Sequence, residues 1–307
     1  MSASYATVIV NPIAGGRTAR REWPKIYAQL RKVGLSFEFE FTQRAGHAIE
    51  IATRAISRGR QFLVAVGGDG TVNEVVNGML QSGKAADLTL GIVPAGTAHA
   101  FSYSLGIGKD YADTCSCLVG KRTIQIDLGV VKCWSQGHPV ERYFVNEASV
   151  GLSAEIVDAW GLLPTGPSRS TSLPLRKFAG YMALASHRNK TVRLRVGNDV
   201  ESIRICAVFV ANGQYCADKM LIAPHASLND GLLDSIIVGD VSKSELIKIR
   251  PTLYDGGHIR HDKIRVAKVT GIMIESDKTL LVEADGDIIG ESPVSFRVIP
   301  SALTVVV

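Results

Sequence analysis

Residues 62–78, FLVAVGGDGTVNEVVNG, restrict the fold of this chain more than any other stretch. The unbroken apolar run 62–66 reads as a buried strand, and residues 72–80 repeat with the period of a helix. Between them lies a turn made of Gly67, Gly68, Asp69, Gly70 and Thr71. Thr71 followed by Glu74 has the spacing of a capping box, which predicts that the helix begins at Val72 and turns its unpaired backbone N–H groups toward the glycines. Such an end attracts anions: the glycines remove side chains that would hold a phosphate away, and the helix dipole adds partial positive charge. A carboxylate in that cradle repels phosphate unless a cation intervenes. Asp69 is therefore expected to engage Mg²⁺, directly or through water, or to orient an acceptor. The same residues also fit a simple tight turn in which Asp69 bonds its own backbone. The strand before and the helix after favour the cradle.

The strand and helix periods alternate up to about residue 120: strand-like 7–10, helical 22–33, strand-like 36–42, helical 47–58, the strand 62–66, helical 72–80, the strand 88–93 and a short helix from Ala98. Repeated β-α units with short connections predict a doubly wound, mostly parallel sheet with ligands at the carboxyl ends of its strands. Beyond about residue 122 the chain changes character. Runs rich in Val, Ile and Thr at 124–131, 142–149, 191–196, 203–211 and 232–238 predict a β-rich, sandwich-like second domain. Helices interrupt it at 153–160, 173–186 and 244–249, the last closed by Pro251, and 162–172, LLPTGPSRSTS, reads as a loop.

A chain of 307 residues, 46% of them hydrophobic, has ample material for a large core. Its five cysteines include no CxxC pair, which suggests neither a disulfide framework nor a zinc site and fits a reducing compartment. The start, MSASYATVIVNP, lacks the basic end and long apolar run of a signal peptide. The longest apolar stretches fall well short of the roughly 20 residues that span a bilayer. The net charge of +5 is bunched at Arg17, Arg20 and Arg21, at 176–195 and at 260–268. Such clusters are either ordinary solvated faces or a means of attraction to an anionic surface. The expectation is a cytoplasmic protein that visits a membrane surface without crossing it. No nucleic-acid partner is expected, and the oligomeric state is not legible.

The string GGDGTVNEVVNG resembles the signature of the diacylglycerol kinase catalytic-domain family, which includes bacterial soluble lipid kinases, sphingosine kinases and ceramide kinases and is more distantly related to NAD kinase. Asn11-Pro12-Ile13-Ala14-Gly15-Gly16 resembles that family's first nucleotide loop, Thr42 with Gly46-His47-Ala48 its second, and Pro94-Ala95-Gly96-Thr97 its third. Further matches follow in family order at 126–129, 146–151, 223–224, 230–234 and 285–287. The resemblance implies an ATP site lined by Asn11, Pro12, Ile13, Ala14, Gly15, Thr42, Gly67, Gly68, Asp69, Gly70, Thr71, Val72, Asn73 and Thr97. By their own chemistry, the first loop equally fits a β-α turn and Thr97 a helix N-cap.

Asp230-Gly231 and Asp285-Gly286 read by themselves as hairpin turns. The resemblance implies a Mg²⁺ site of oxygen donors at Ser227, Asp230 and Leu232. It also implies a proton acceptor at the end of 285–287, where the family pattern is Asp-Gly-Glu and this chain has Asp287. The shorter side chain must still come within hydrogen-bonding reach of the hydroxyl it deprotonates, so the role falls to Asp287 or Asp285. His99 stands where the family usually has Asn; it is a first-turn helix side chain, or a phosphate contact when protonated.

The implied fold is an ATP-binding α/β domain, 1–129, and a β-rich lipid-substrate domain, 130–307, with the last strand returning to the first domain and an active-site cleft between the two. The implied activity is Mg-dependent transfer of the γ-phosphate of ATP to a hydroxyl of a membrane lipid. Catalysis would rest on positioning and electrostatics, through Asp69 and Asp287 or Asp285. An NAD kinase-like phosphotransferase, which shares the GGDG turn, and an inactive nucleotide- or lipid-binding regulator are the alternatives. No P-loop, DFG or HRD element is present.

Overall fold

The computed structural model describes residues 5–83, 85–96, 99–120, 122–163, 173–217 and 219–307. They form two compact units, Met1–Asp127 with Ser301–Val307, and Leu128–Pro300.

The first unit contains β1 (Ala6–Val10), α1 (Ala14–Lys32), β2 (Phe37–Phe41), α2 (His47–Ser57), β3 (Phe62–Gly67), α3 (Asp69–Gln81), β4 (Thr89–Pro94), α4 (Ala100–Ser104), α5 (Tyr111–Val119) and the start of β5 (Thr123–Ser135). β1 pairs in parallel with β2 and β3, and β3 with β4. Thr304 and Val305, near the end of the chain, pair in parallel with Thr89 and Leu90. β1 and β3 are buried along their whole length because helices cover both faces of a parallel sheet. On one face Val8, Val10, Val64 and Val66 pack with Trp23, Ile26 and Leu30 of α1 and Cys115 and Leu118 of α5. On edge strand β2, Phe37 and Phe39 meet the rings of Tyr27 and Trp23 at 5.4 and 4.9 Å. From β1 the chain goes to β2 on one side and β3 lies on the other, so the topological switch point falls between β1 and β3.

The second unit contains the rest of β5, then β6 (His138–Phe144), β7 (Glu147–Gly151), α6 (Leu152–Gly161), α7 (Leu173–Ser186), β8 (Lys190–Val196), β9 (Asp199–Ile205), β10 (Ala207–Ala211), β11 (Leu233–Val238), α8 (Lys243–Ile249), β12 (Ile264–Val269), β13 (Gly271–Glu275), β14 (Leu281–Ala284) and β15 (Asp287–Val306). Its named strands pair antiparallel. One layer runs β12-β11-β10-β7-β14-β15. Farther along β15, residues 294–297 pair with β13, which continues to β8 and β9. Val150, Val208, Val210 and Leu233 of the first layer share one core with Val192, Leu194, Ile272, Ile274 and Phe296 of the second, which makes a sandwich. On the other face of the first layer, Ile236 and Val238 are covered by Leu152, Ile156, Leu184, Leu246 and Ile249 of the three helices.

Two runs expected as single strands are each divided. Residues 142–149 break after Phe144 and 203–211 break at Cys206. At the first break the amides of Val145, Asn146 and Glu147 turn to the Asp285 carboxylate. At the second, Cys206 N–H donates to the carbonyl of Val238 at 2.8 Å. α5 was not expected; its start is fixed by Asp110, whose side chain accepts from Ala112 N–H at 2.8 Å and Asp113 N–H at 3.1 Å. Among the described residues, no helix is long and apolar enough to cross a membrane.

Candidate active site

Three turns meet at the carboxyl edge of the parallel sheet. They follow β1 at Asn11, β3 at Gly67 and Gly68, and β4 at Ala95 and Gly96. Gly15 has a left-handed backbone (φ 61°), and a Cβ there would lie 2.9 Å from the Gly96 carbonyl carbon. A Cβ on Gly96 would lie 2.6 Å from Gly68 Cα, and one on Gly67 would lie 2.3 Å from Thr71 Oγ1. The turns therefore pack backbone on backbone. Asn11 locks them: its N–H donates to Val66 O at 3.0 Å, and its Nδ2 donates to Thr71 Oγ1 at 3.0 Å. Ala95 N–H donates to Gly67 O at 2.9 Å. Thr42, buried just after β2, lies at the same edge, its N–H on Val10 O at 2.9 Å. Pro12 and Ala14 flank exposed Ile13 between Asn11 and Gly15. Thr97 lies outside the described residues.

The expected capping box does not form. α3 begins at Asp69, three residues early, with Gly68 at its N-cap. Glu74 reaches away and caps α2, accepting from Gly46 N–H at 2.8 Å and Ala48 N–H at 3.0 Å. The amides of Thr71 and Val72 donate to Gly68 O, so the first-turn N–H groups without a helical partner are those of Asp69 and Gly70. The Val72 side chain is buried, and Asn73 Oδ1 accepts from Asn77 Nδ2 at 3.0 Å. The helix dipole still points its positive end at the glycine turn.

Asp69 is not an open metal ligand. Its Oδ2 accepts from Ala100 N–H at 2.9 Å and its Oδ1 from Phe101 N–H at 3.1 Å, so the carboxylate is committed to the start of α4. Burial raises its pKa, and those two hydrogen bonds oppose the rise. His99 is buried; burial, then the nearby Lys109 charge, lowers its pKa to about 4. With that pKa the imidazole is neutral at neutral pH.

In the second unit, Asp285 (φ 48°) and Gly286 (φ 91°) form the two-residue turn between Ala284 and Asp287, the left-handed pair that a tight hairpin requires. Asp285 is not available as a base. Its carboxylate accepts from Val145 N–H at 2.8 Å, Asn146 N–H at 3.0 Å and Glu147 N–H at 3.1 Å. Glu283, buried under the turn, accepts from Gly286 N–H at 2.5 Å and Ser149 Oγ–H at 2.6 Å. Burial, aided by the charges of Asp285 and Asp287, pushes its carboxyl up to about 8. Asp287 alone of the three faces solvent, lining a cavity of about 330 Å³ with Val157, Asp158, Trp160, Leu162, Arg176 and Ile288. Trp160 Nε1–H donates to Arg176 O at 3.0 Å, and the Arg176 guanidinium lies 5.3 Å from the Trp160 ring centre. Sequence reasoning missed Glu283, Trp160 and Arg176. A lone acid in the apolar strand LVEA was the available signal for the first; nothing local announced Trp160, and Arg176 stood out only as the start of the basic cluster 176–195.

The residues expected to hold Mg²⁺ are partnered with one another and with a lysine. Asp230 Oδ2 is ion-paired with the ammonium of Lys268, and its Oδ1 accepts from Leu232 N–H at 3.1 Å. Lys268 also sits 3.4 Å from Asp234 Oδ2, while Ser227 Oγ–H donates to Asn229. A lysine already supplies the positive charge there. Among the described residues, no group of His, Cys, Asp or Glu side chains is arranged to hold a metal ion.

Comparison with known proteins places these features in a family. Residues 5–131 match the model of the diacylglycerol kinase catalytic domain, and residues 171–307 match that of the YegS C-terminal NAD kinase beta sandwich-like domain. The diacylglycerol kinase of Staphylococcus carnosus is 28% identical over 95% of this chain and 91% of its own length. That of Staphylococcus aureus is 28% identical over 95% of this chain and 88% of its own length. A crystal structure of a diacylglycerol kinase from Bacillus anthracis superposes with a TM-score of 0.72, at 20% identity, over 100% of this chain and 97% of that one. Yeast NADH kinase complexed with NADH shares the fold at a TM-score of 0.55 and 10% identity, over 99% of this chain and 83% of that one. The chain is a kinase in which a region matching the diacylglycerol kinase catalytic domain is followed by one matching the YegS C-terminal NAD kinase beta sandwich-like domain.

Proposed function

We propose that the chain transfers the γ-phosphate of ATP, taken up as MgATP, to a hydroxyl of a membrane lipid of the diacylglycerol type. The observation that carries this reading is the convergence of three glycine turns at the switch point of the parallel sheet, backbone against backbone, beside the positive end of α3. The amides of Asp69 and Gly70 hold the phosphate tail, and Asn11 and Asp69 keep the turns in place. Magnesium arrives with the nucleotide as its counter-ion, and neither Asp69 nor Asp230 is a ligand in this scheme. Asp287 accepts the proton of the lipid hydroxyl, while Asp285 and Glu283 hold the hairpin that carries it.

The walls beside Asp287 support a lipid over a dinucleotide acceptor, since Trp160, Leu162, Val157 and Ile288 give that cavity apolar surface. The test is radiolabelled ATP offered with a panel of diacylglycerol and other lipid alcohols in micelles, and separately with NAD. Labelled lipid is expected. Labelled NADP without labelled lipid contradicts the reading, as does ATP binding with no transfer to any acceptor.

A further inference from the structure

Glu283 sits beneath the hairpin that carries Asp287. The register of β14 against β15 shifts between Val282 and Glu283: Val282 stands opposite Gly290, but Glu283 stands opposite Ile288. A bulge of this kind re-aims the side chain beside it. Here the Glu283 side chain folds under the two-residue turn of its own hairpin, where the residue is 1% exposed. A tight turn leaves its central N–H groups without strand partners. That of Asp285 donates to Glu147 O at 2.9 Å, and that of Gly286 donates to Glu283 Oε1 at 2.5 Å. Asp287 follows Gly286 directly, so the grip on this amide fixes where the Asp287 side chain starts.

The second oxygen of Glu283 meets the hydroxyl of Ser149, its neighbour across β7, at 2.6 Å. Ser149 is fully buried, and its hydroxyl can accept the proton of a carboxylic acid or donate to a carboxylate. The surroundings favour the acid. Asp285 and Asp287 share the hairpin, and buried Glu147 lies two residues before Ser149 on β7. Buried Cys216 has its thiol pushed well up by burial, then by the charges of Glu147 and Glu283. Asp158 of α6 and Arg176 of α7 line the cavity with Asp287. Where Asp285 spreads its charge over three backbone amides, Glu283 has one. An anion buried among other carboxylates costs more than its protonation.

We infer that Glu283 is a positioning residue for phosphoryl transfer: it grips the Gly286 amide to aim Asp287, and the proton it shares with Ser149 keeps a second negative charge from beneath the hairpin. The role in transfer rests on the lipid-kinase reading; the bonds to Ser149 and Gly286 do not. Loss of the proton has two opposed effects. The new anion makes Asp287 a stronger base, and it repels the phosphoryl group that the lipid hydroxyl must meet. In a loose phosphoryl transfer a further gain in basicity adds little, whereas charge beside the phosphoryl oxygens acts on the barrier directly, so repulsion decides. Activity falls as Glu283 ionises.

The experiment follows kcat for transfer from MgATP to diacylglycerol in micelles across neutral and alkaline pH, together with the amide signal of Gly286 in ¹⁵N-glycine-labelled protein. In wild type kcat should fall about tenfold from about pH 7 to about pH 9. The Gly286 signal should shift over the same interval, centred at about pH 8. Glu283→Gln keeps an acceptor for Gly286 and a partner for Ser149 but cannot ionise, so its kcat should hold across that range and its Gly286 signal should not titrate. Glu283→Leu drops both bonds, and at neutral pH its kcat should lie about tenfold or more below that of the Gln variant, with KM for ATP unchanged. An alkaline fall that persists in the Gln variant, a Leu variant as active as the Gln variant, or a wild-type Gly286 signal that ignores pH overturns the inference and leaves the kinase reading standing. Transfer to no lipid at any pH, with the Gly286 titration intact, overturns the kinase reading and with it the role of Glu283 in transfer.

Discussion

The carboxylate of Asp69 accepts the backbone N–H of Ala100 at 2.9 Å, joining the acidic residue of the glycine turn to the first turn of the next helix. The anion in the middle of GGDG is thus a cap for α4, and its charge is partly offset before any phosphate arrives. Asp69→Ala leaves two amides without their acceptor and should cost about 2 kcal/mol in urea unfolding. Asp69→Asn, which keeps one acceptor oxygen, should recover part of that stability while still lowering kcat.

Glu74 gives a prediction of a different kind, because its carboxylate holds the start of α2. Glu74→Gln removes the charge from two hydrogen bonds at a helix N-terminus, a loss of about 1 kcal/mol. Hydrogen exchange at the amides of Gly46 and Ala48 should accelerate, and any loss of affinity for MgATP should accompany that loosening of the loop after Thr42. A fall in nucleotide affinity without faster exchange runs against this assignment.

Glu283 makes stability depend on pH. Its folded-state pKa is raised from 4.5 to about 8, so the folded chain keeps a proton that the unfolded chain releases. Stability should therefore fall as pH rises from 4.5 to about 8 and level off above that. Glu283→Gln removes this slope: the variant should melt higher than wild type above pH 8 and much like it below pH 4.5. Parallel melting curves across the range contradict a buried, protonated Glu283.

Lys268 stands where the resemblance places a divalent cation, paired with Asp230 and Asp234. Wild-type melting temperature should not respond to added Mg²⁺ in the absence of nucleotide. Lys268→Met uncovers the two carboxylates, and its melting temperature should drop and then rise with Mg²⁺. A magnesium-dependent rise in wild type shows that the metal displaces the lysine.

Much of this was legible in sequence because it rests on local period and turn chemistry. The buried run 62–66, the helix over 47–57 and the outline of α7 follow from apolar spacing, and the Asp285-Gly286 turn from its residue types. What failed was the choice between partners. Thr71 and Glu74 have capping-box spacing, yet Thr71 is taken by Asn11 and Glu74 by α2, contacts that exist only once the sheet brings distant segments together. Asp69 and Asp285 carry their charge into backbone amides of other segments for the same reason. Spacing along a chain records which residues are near in sequence, and the competition among acceptors is decided in three dimensions.

Asp287 remains the one exposed carboxylate of its hairpin, and its exchange for asparagine isolates the proton step. Asp287→Asn should lower kcat by about a hundredfold or more with KM for ATP and the melting temperature held. Asp287→Glu should keep activity, since the longer arm only extends the reach. Equal loss in both variants argues for a structural role.

The most direct measurement is a crystal structure with magnesium and a non-hydrolysable ATP analogue. The β- and γ-phosphates should lie against the amides of Asp69 and Gly70, with the turns at Asn11 and Gly96 closed around them. Phosphates bound elsewhere, with the backbone at 67–70 sealed by protein atoms, contradict the account.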